Sequence, residues 1–519
     1  VSRLVAGDAS RLSFARENGH PIASMPLEAR PMIHVPRVQA LASAALVATL
    51  LTFFTVTAPA TAQTQATPSH DALTLGSWSF RPVVDLRVRG EYTRNPVDVG
   101  GAVYEGSAVL ANGTNSESPA ISSTQPAVAN EYFVASRARL GVAVEHGNLS
   151  AVITLQDARN WGGDGTSMSA TVLAGPGEPI PPVFAPWEAY VDLHTKTGRP
   201  VFLRVGRQAV RWGDGTLLGA NDWSATGRSL DAARFGAQVG DVDVELLASI
   251  LATPGQYVDP GTRTAAAGAG VELYGGDAVY HVTPLLHLEA TGLVRIARQP
   301  MPVSMTPSDT YVAAARAFGD HRGFRYAAEG AYETGSVAQV GSLRNLAAFA
   351  VAGRASLETS LPWHVTFGSQ GAYATGDQGA SSGNLRRFDP ILPDDHTSIS
   401  PMGLWAWSNI IEGGGSIAVK PAAEVTFLAS YRYAALAEGR DRWTSATLSP
   451  IGLAPENKSR ELGHEIDGAL TYIPWEALQV EAGYGIFLEG GAATAILQAA
   501  GREAGTAHWV YLSMRLRVP

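Results

Sequence analysis

From Phe80 to the C-terminus the chain alternates apolar and polar residues in short runs. In the last run Val510, Leu512, Met514, Leu516 and Val518 fall on one face of a strand. Tyr511, Ser513, Arg515 and Arg517 fall on the other. Successive side chains of a strand point to opposite faces, so this run has one hydrocarbon face and one charged face. The pattern recurs in Val84, Leu86, Val88 and Tyr92 against Asp85, Arg87, Arg89 and Glu91. Leu140, Val142 and Val144 oppose Arg137, Arg139 and Glu145, and Val191 and Leu193 oppose Glu188, Tyr190 and Asp192. Further on, Phe324 and Tyr332 oppose Arg325 and Glu329, Val351 and Leu357 oppose Arg354, Phe427 and Tyr431 oppose Arg432, and Ile466 opposes Glu465.

Turn residues divide these runs. Short turns are expected at His146-Gly147-Asn148, Thr197-Gly198-Arg199-Pro200, Val239-Gly240-Asp241, Thr283-Pro284, Gly319-Asp320, Leu361-Pro362, Lys420-Pro421 and Ile473-Pro474. Long polar connections are expected at 94–130, 158–186, 210–227, 252–270, 298–310, 335–344, 376–401, 435–462 and 489–505. Short and long connections alternate, which predicts eighteen antiparallel strands with both ends on one side. Periodicity alone fits a soluble β-sandwich as well as a barrel. The alternation of loop lengths is the signature of an outer-membrane barrel with short periplasmic turns and long extracellular loops. Tyr92, Trp187, Trp363, Trp475 and Trp509 lie near strand ends, where a barrel carries its aromatic girdle.

The N-terminal region supports an exported protein. Leu41 to Ala58 is an apolar stretch, preceded by Arg37 and followed by Ala60-Thr61-Ala62. That is the n-region, h-region and A-x-A exit of a secretory signal. The expected organisation is 1–31 as a spurious extension upstream of Met32, 32–62 as the signal peptide and 63–79 as a periplasmic segment. The barrel follows over 80–519. Val1 as the true start is the alternative.

Composition narrows the reading. Charged residues are 16% and Gly numbers 55, which suits alternating strands and turns rather than long apolar helices. With no cysteine, disulfides and thiolate metal sites are excluded. The net charge of −9 gives no global attraction for nucleic acid, so any anion site must be local. Lysine occurs only at Lys196, Lys420 and Lys458, against 35 arginines. A GC-rich genome accounts for that bias as well as function does. The functional account is that Arg keeps its charge when desolvated and grips carboxylates with a fixed fork.

On the wet face the alternation places Arg87, Arg89, Arg137, Arg139, Arg204, Arg234, Arg354, Arg432 and Arg515, with Asp85, Glu188, Asp192, Glu329 and Glu465 among them. One reading is a ladder of ion pairs that stiffens the wall, each exposed pair contributing about 0–1 kcal/mol. The other is a constriction where arginines attract an anionic solute.

Val205 to Phe235, VGRQAVRWGDGTLLGANDWSATGRSLDAARF, goes beyond pattern. Its GRQ, WGDG, NDW and GRS-x-DA-x-R segments resemble the signature of the alginate export family of outer-membrane barrels. Further segments resemble that family: Glu329-Gly330-Ala331-Tyr332, Tyr373-Ala374-Thr375-Gly376-Asp377, Phe388-Asp389-Pro390, Pro393-Asp394-Asp395-His396, Gly463-His464-Glu465-Ile466-Asp467 and Gly483-Tyr484-Gly485-Ile486-Phe487. The resemblance implies a monomeric eighteen-stranded barrel in outer-membrane lipid that passes a linear polyuronate through an Arg-lined constriction. Periplasmic export components are its candidate partners. It carries the path onto Arg204, Arg207, Arg228 and Arg234, with Asp192, Asp222 and Asp231 holding arginines in position or gating. The chain departs from the pattern in ending Val518-Pro519 rather than on an aromatic residue.

Asp214 of WGDG and Asp222 of NDW are candidates for a structural Ca²⁺, although Asp-Gly also makes turns. No cofactor is otherwise expected. No phosphate loop or nucleophile elbow is present, so an enzyme is not expected. Two alternatives to anionic export stay open: a general diffusion porin, and a barrel closed by its loops that acts as a structural or surface protein.

Overall fold

The computed structural model describes residues 72–97, 130–161, 183–195, 200–252, 271–297, 308–339, 342–379, 383–396, 399–500, 502 and 504–518. The expected extension, the signal peptide, most of the loops 94–130, 158–186, 252–270 and 298–310, and most of the Thr197–Pro200 turn lie outside the described residues.

Eighteen strands form the wall. The first nine are β2 (Trp78–Arg94), β3 (Asn130–His146), β4 (Leu149–Asn160), β5 (Val183–His194), β6 (Val201–Gln208), β7 (Leu230–Val239), β8 (Val242–Ala252), β9 (Val271–Thr283) and β10 (Leu286–Ala297). The second nine are β11 (Ser308–His321), β12 (Phe324–Gln339), β13 (Ser342–Glu358), β14 (Thr366–Ala374), β15 (Ile410–Ala422), β16 (Val425–Leu436), β19 (Glu461–Trp475), β20 (Leu478–Glu489) and β21 (Ala507–Val518). A short β1 (Leu73–Leu75) folds back on the start of β2. Each strand pairs antiparallel with its sequence neighbour, and β21 pairs with β2 from Val84↔Val518 to Arg94↔His508. That pairing closes the barrel and leaves no open edge in the ring, as a sheet in lipid requires.

The alternation holds around the ring. Leu140, Leu512 and Met514 are more than half exposed on the bare outer surface, whereas Arg87, Arg137 and Arg139 are buried inside. Lipid therefore meets hydrocarbon, and charge is turned inward. Eight short turns at one end alternate with nine connections at the other, eight of them long, which puts the long-loop end outside the cell and the first and last wall strands' free ends at the periplasmic side.

Some boundaries move. β2 begins at Trp78 rather than Phe80. β11 runs through Gly319-Asp320, and the turn falls at Arg322-Gly323, where Arg322 has φ 50° and Gly323 φ 83°. Lys420-Pro421 and Ile473-Pro474 lie within strand ends. The expected long loop 335–344 is a tight connection, because β12 reaches Gln339 and β13 starts at Ser342. Small and polar residues there made strand ends resemble a loop. Trp187 and Trp509 are not girdle residues. Both are buried inside, Trp187 beneath Arg139 and Trp509 donating to Glu91. Tyr92, Trp363 and Trp475 are exposed.

The hydrophobic core lies inside the ring, built from inward-folded connections. Leu218, Leu385, Phe388, Ile391, Trp405 and Trp443 are almost completely buried. They come from loops 209–229 and 375–409 and from 437–460, which carries the hairpin β17 (Trp443–Thr444) and β18 (Pro450–Gly452). The α-helix α1 (Gly491–Ala499) adds Ile496 and Leu497. Burying each such side chain contributes about 1.5–3 kcal/mol. Among the described residues no helix is long and apolar enough to cross a membrane.

Candidate functional site

Loop 209–229, between β6 and β7, carries WGDG and NDW. It turns into the barrel because its polar groups find partners on several wall strands. The Trp212 indole N–H donates to Glu245 Oε1 at 2.5 Å, Glu188 accepts the Ala209 N–H at 3.2 Å, and the Thr216 hydroxyl donates to Glu329 at 2.9 Å. The loop then passes between two opposite sectors of the ring. Asp214 faces β11 and β13, and Asp222 faces β2, β3 and β21.

At the Asp222 end two of the arginines, Arg137 and Arg139, are almost fully buried. Arg139 Nη1 lies 2.6 Å from Asp222 Oδ1, Arg137 Nη2 3.1 Å from the same oxygen, and Arg515 Nη2 3.0 Å from Oδ2. The same wall binds the loop backbone. Arg87 donates to Asp222 O at 2.7 Å and also to Ser224 O, Arg137 to Asp222 O at 3.0 Å, Arg89 to Trp223 O at 2.5 Å and Arg139 to Thr226 O at 3.1 Å. Burial pushes the Asp222 carboxyl up, but Arg137, Arg139 and Arg515 outweigh it and hold it below the usual carboxylate range. Asp85 supports the cluster from the wall, accepting Arg515 Nε at 2.9 Å and lying 3.6 Å from Arg137. Arg89, Arg137, Arg139 and Arg515 thus pair with Asp85, Glu91 and Asp222, and Arg87 joins them on the loop carbonyls, an excess of cations at this sector.

Two motif loops lock together here. Asn221 N donates to Asp394 Oδ1 at 2.6 Å, and Asp395 N donates to Asn221 Oδ1 at 3.1 Å. Asn221 has φ 49°, a left-handed conformation that Asn tolerates. Gly219 must lack a side chain, since a Cβ would come within 2.1 Å of Asp394 Oδ1. Trp223 stacks on His396 at 3.8 Å between ring centroids, and the Arg89 guanidinium lies 4.2 Å over the same indole. Burial holds His396 below the usual histidine range. Arg228 Nη1 donates to Gly219 O, Leu392 O and Pro393 O at 2.8–2.9 Å, so it ties the loops together.

At the other end Arg316 Nη1 lies 3.0 Å from Asp214 Oδ1, and Arg354 pairs with Asp214 Oδ2. Arg316 also donates to Glu289 at 2.6 Å. A cavity of about 490 Å³ opens beneath, lined by Asp214, Arg316, Phe318, Arg354, Gln370 and Ser416 among others. It lies toward the short-turn ends of β11–β15. A smaller cavity of about 200 Å³ lies beside Trp187, Asn221, Arg228 and Pro393.

The other expected residues divide by role. Arg204 pairs with Asp192 at 2.7 Å, Arg234 with Glu245 at 2.6 Å and Arg432 with Asp467 at 2.9 Å, all within the wall. Glu465 holds a loop rather than an arginine, accepting the Ser400 hydroxyl and the Met402 N–H at 2.8 Å each. Glu329 likewise accepts from the loop at Thr216. Asp231 holds an arginine as expected, in a bidentate pair with Arg207 at 2.8 Å, but the parity is a correction: both are in register with outward Val205 and Ile250, with Arg207 reaching the rim of the smaller cavity. The segment's end strands alternate like all the others, and the motif by itself did not say which parity faces in. Asp214 and Asp222 do not suit calcium, because both carboxylates are taken by guanidiniums. Among the described residues no cluster of three or more His, Asp or Glu is placed to hold a metal.

Sequence reasoning missed Arg316, and it missed the buried loop pairs Arg344–Asp377 at 2.9 Å and Arg387–Asp441 at 2.6 Å. Arg316 sits among alanines on β11, and its parity with inward Val312 was the available signal. Arg344 shares the inward parity of Arg354 on β13, whereas Arg387 and Asp441 lie on connections and have no periodic signal.

A closed eighteen-stranded barrel with a lumen occupied by its own extracellular loops defines an outer-membrane channel protein. The chain matches the alginate export family over residues 110–507 and belongs to it. Among solved structures it is similar to Acinetobacter baumannii OccAB2, at 12% identity and TM-score 0.50, covering 84% of this chain and 98% of that one. It is equally similar to Pseudomonas aeruginosa OccK8 (OprE), at 10% identity and TM-score 0.50 with the same coverage. At these identities the likeness is one of fold. No match was found among the curated proteins.

Proposed function

We propose that this barrel is a passive channel for export of an anionic polysaccharide of the polyuronate class, or of related anionic solutes. One observation carries the reading: where loop 209–229 crosses to β2, β3 and β21, four guanidiniums share three carboxylates and a fifth, Arg87, binds the loop carbonyls beside them. In a lumen of low dielectric that excess attracts anions and repels cations. A uronate carboxylate fits an Arg fork. Ion pairs on both faces of the path keep binding weak and multi-site, as passage requires. Export direction and periplasmic export partners are part of this proposal through the family.

The extent of loop packing inside the ring favours a second reading, a barrel held closed by loops 209–229, 375–409 and 437–460. Single-channel recording of the refolded protein in a planar bilayer separates the two. Anion-selective reversal potentials in a KCl gradient, with reversible block by an oligouronate and none by a neutral oligosaccharide, are expected for the channel. Weak selectivity and indifference to the oligouronate would make it a general diffusion porin. Absence of conductance would make it a closed structural barrel.

A further inference from the structure

Resting on that channel reading, we infer that the cavity of about 490 Å³ beneath Asp214 is the first docking subsite for the cargo. There a uronate carboxylate takes Arg354 from Asp214, which Arg316 continues to hold.

The cavity lies within the roughly 300–1,000 Å³ typical of small-molecule sites. Its lining suits one acidic sugar unit. Arg354 and Arg316 offer guanidinium forks, Ser356, Ser416 and Gln370 offer hydrogen bonds to hydroxyls, and Phe318 offers an apolar face. Phe318 already carries the Arg316 guanidinium 4.1 Å over its ring. The cavity sits on the short-turn side of the loop, where an exported chain arrives first.

Asp214 occupies this site as a built-in carboxylate. It is borne on a flexible type of element, a loop, yet it bridges arginines on two wall strands. The Arg354 side chain is 43% exposed, compared with 1% for Arg137 at the other end of the loop. An exposed ion pair exchanges partners at little cost, whereas a buried one does not. Arg137 and its neighbours also hold four loop carbonyls, which a cargo carboxylate leaves in place. The Arg354–Asp214 pair is therefore the exchangeable contact of the loop.

The test uses the full-length barrel in a planar bilayer, with tetragalacturonate added to the short-turn side and neutral maltotetraose as control. A heat-modifiable gel shift establishes that each variant has folded. Asp214→Asn removes the competitor and should lower the half-blocking tetragalacturonate concentration by roughly three- to tenfold. Arg354→Gln should raise it by at least a similar factor. The two variants move in opposite directions, so the inference stays testable if one misfolds. Block of both variants at the wild-type concentration would overturn the subsite and leave the channel reading intact. A wild-type channel not blocked from either side would overturn the polyuronate reading and the subsite with it.

Discussion

Loop 209–229 is fastened to the barrel at two ends by the same chemistry, a carboxylate on arginines, yet the two fastenings differ in kind. At Asp222 the guanidiniums of Arg137 and Arg139 are almost fully buried and also bind loop carbonyls, while Trp223 is packed between Arg89 and His396. At Asp214 the Arg354 partner is half-exposed above an open cavity. Coulomb attraction in a dry site is several times that in water, and the orphaned partner of a broken buried pair is costly. The difference in surroundings, not in residue type, makes one end an anchor and leaves the other exchangeable.

The largest expected effect comes from breaking the anchor. Arg139→Ala removes contacts to Gln156, Asp222, Thr226 and the Trp187 ring together. Removing one partner of a buried pair should weaken loop docking by about 3–5 kcal/mol. Limited proteolysis in loop 209–229 and a larger single-channel conductance should report it, with the barrel still heat-modifiable. Conductance and cleavage equal to wild type would show that the anchor lies elsewhere.

An intermediate effect is expected from pH. Burial lowers the folded value of His396 below the unfolded one. A group with a lowered folded value contributes stability that is present above the unfolded value and lost as pH falls through the folded value. Docking of loop 375–409 on Trp223 should therefore weaken on acidification below the ordinary histidine range, about pH 6.5. Tryptophan fluorescence between pH 8 and 5 reads it, and His396→Gln should flatten the response. The Asp222 pairs act in a lower window. Their stabilisation persists through neutral pH and below the ordinary Asp value, because Arg137, Arg139 and Arg515 hold that carboxyl down.

The smallest effect is expected at Arg207. Its pair with Asp231 lies on the outer face, so Arg207→Gln should change conductance and selectivity little and stability by about 0–1 kcal/mol. A large change in reversal potential would place that side chain in the path after all and weaken the contrast between wall parities.

Much of the fold was legible in the sequence because its determinants are local. Alternation at Val84–Arg89 or Val510–Arg517 states which side chains face lipid, and turn residues state where the strands reverse. It failed where local signals mislead. The small residues of 335–344 read as a loop, and the tryptophans at 187 and 509 read as girdle although they lie inside. The family segments NDW and P-x-x-H were legible as motifs, but their mutual lock through Asn221, Asp394 and His396 was not.

By itself, the sequence determined a closed strand wall with hydrocarbon outside and arginines inside. That follows from a period of two, imposed by backbone geometry within each strand. Only the tertiary structure decided what the arginines hold. Arg87 and Asp222 meet across 135 positions of chain, and Arg515 and Asp85 across 430. Such contacts depend on ring closure and on the path of the loops through the lumen, which no local period encodes.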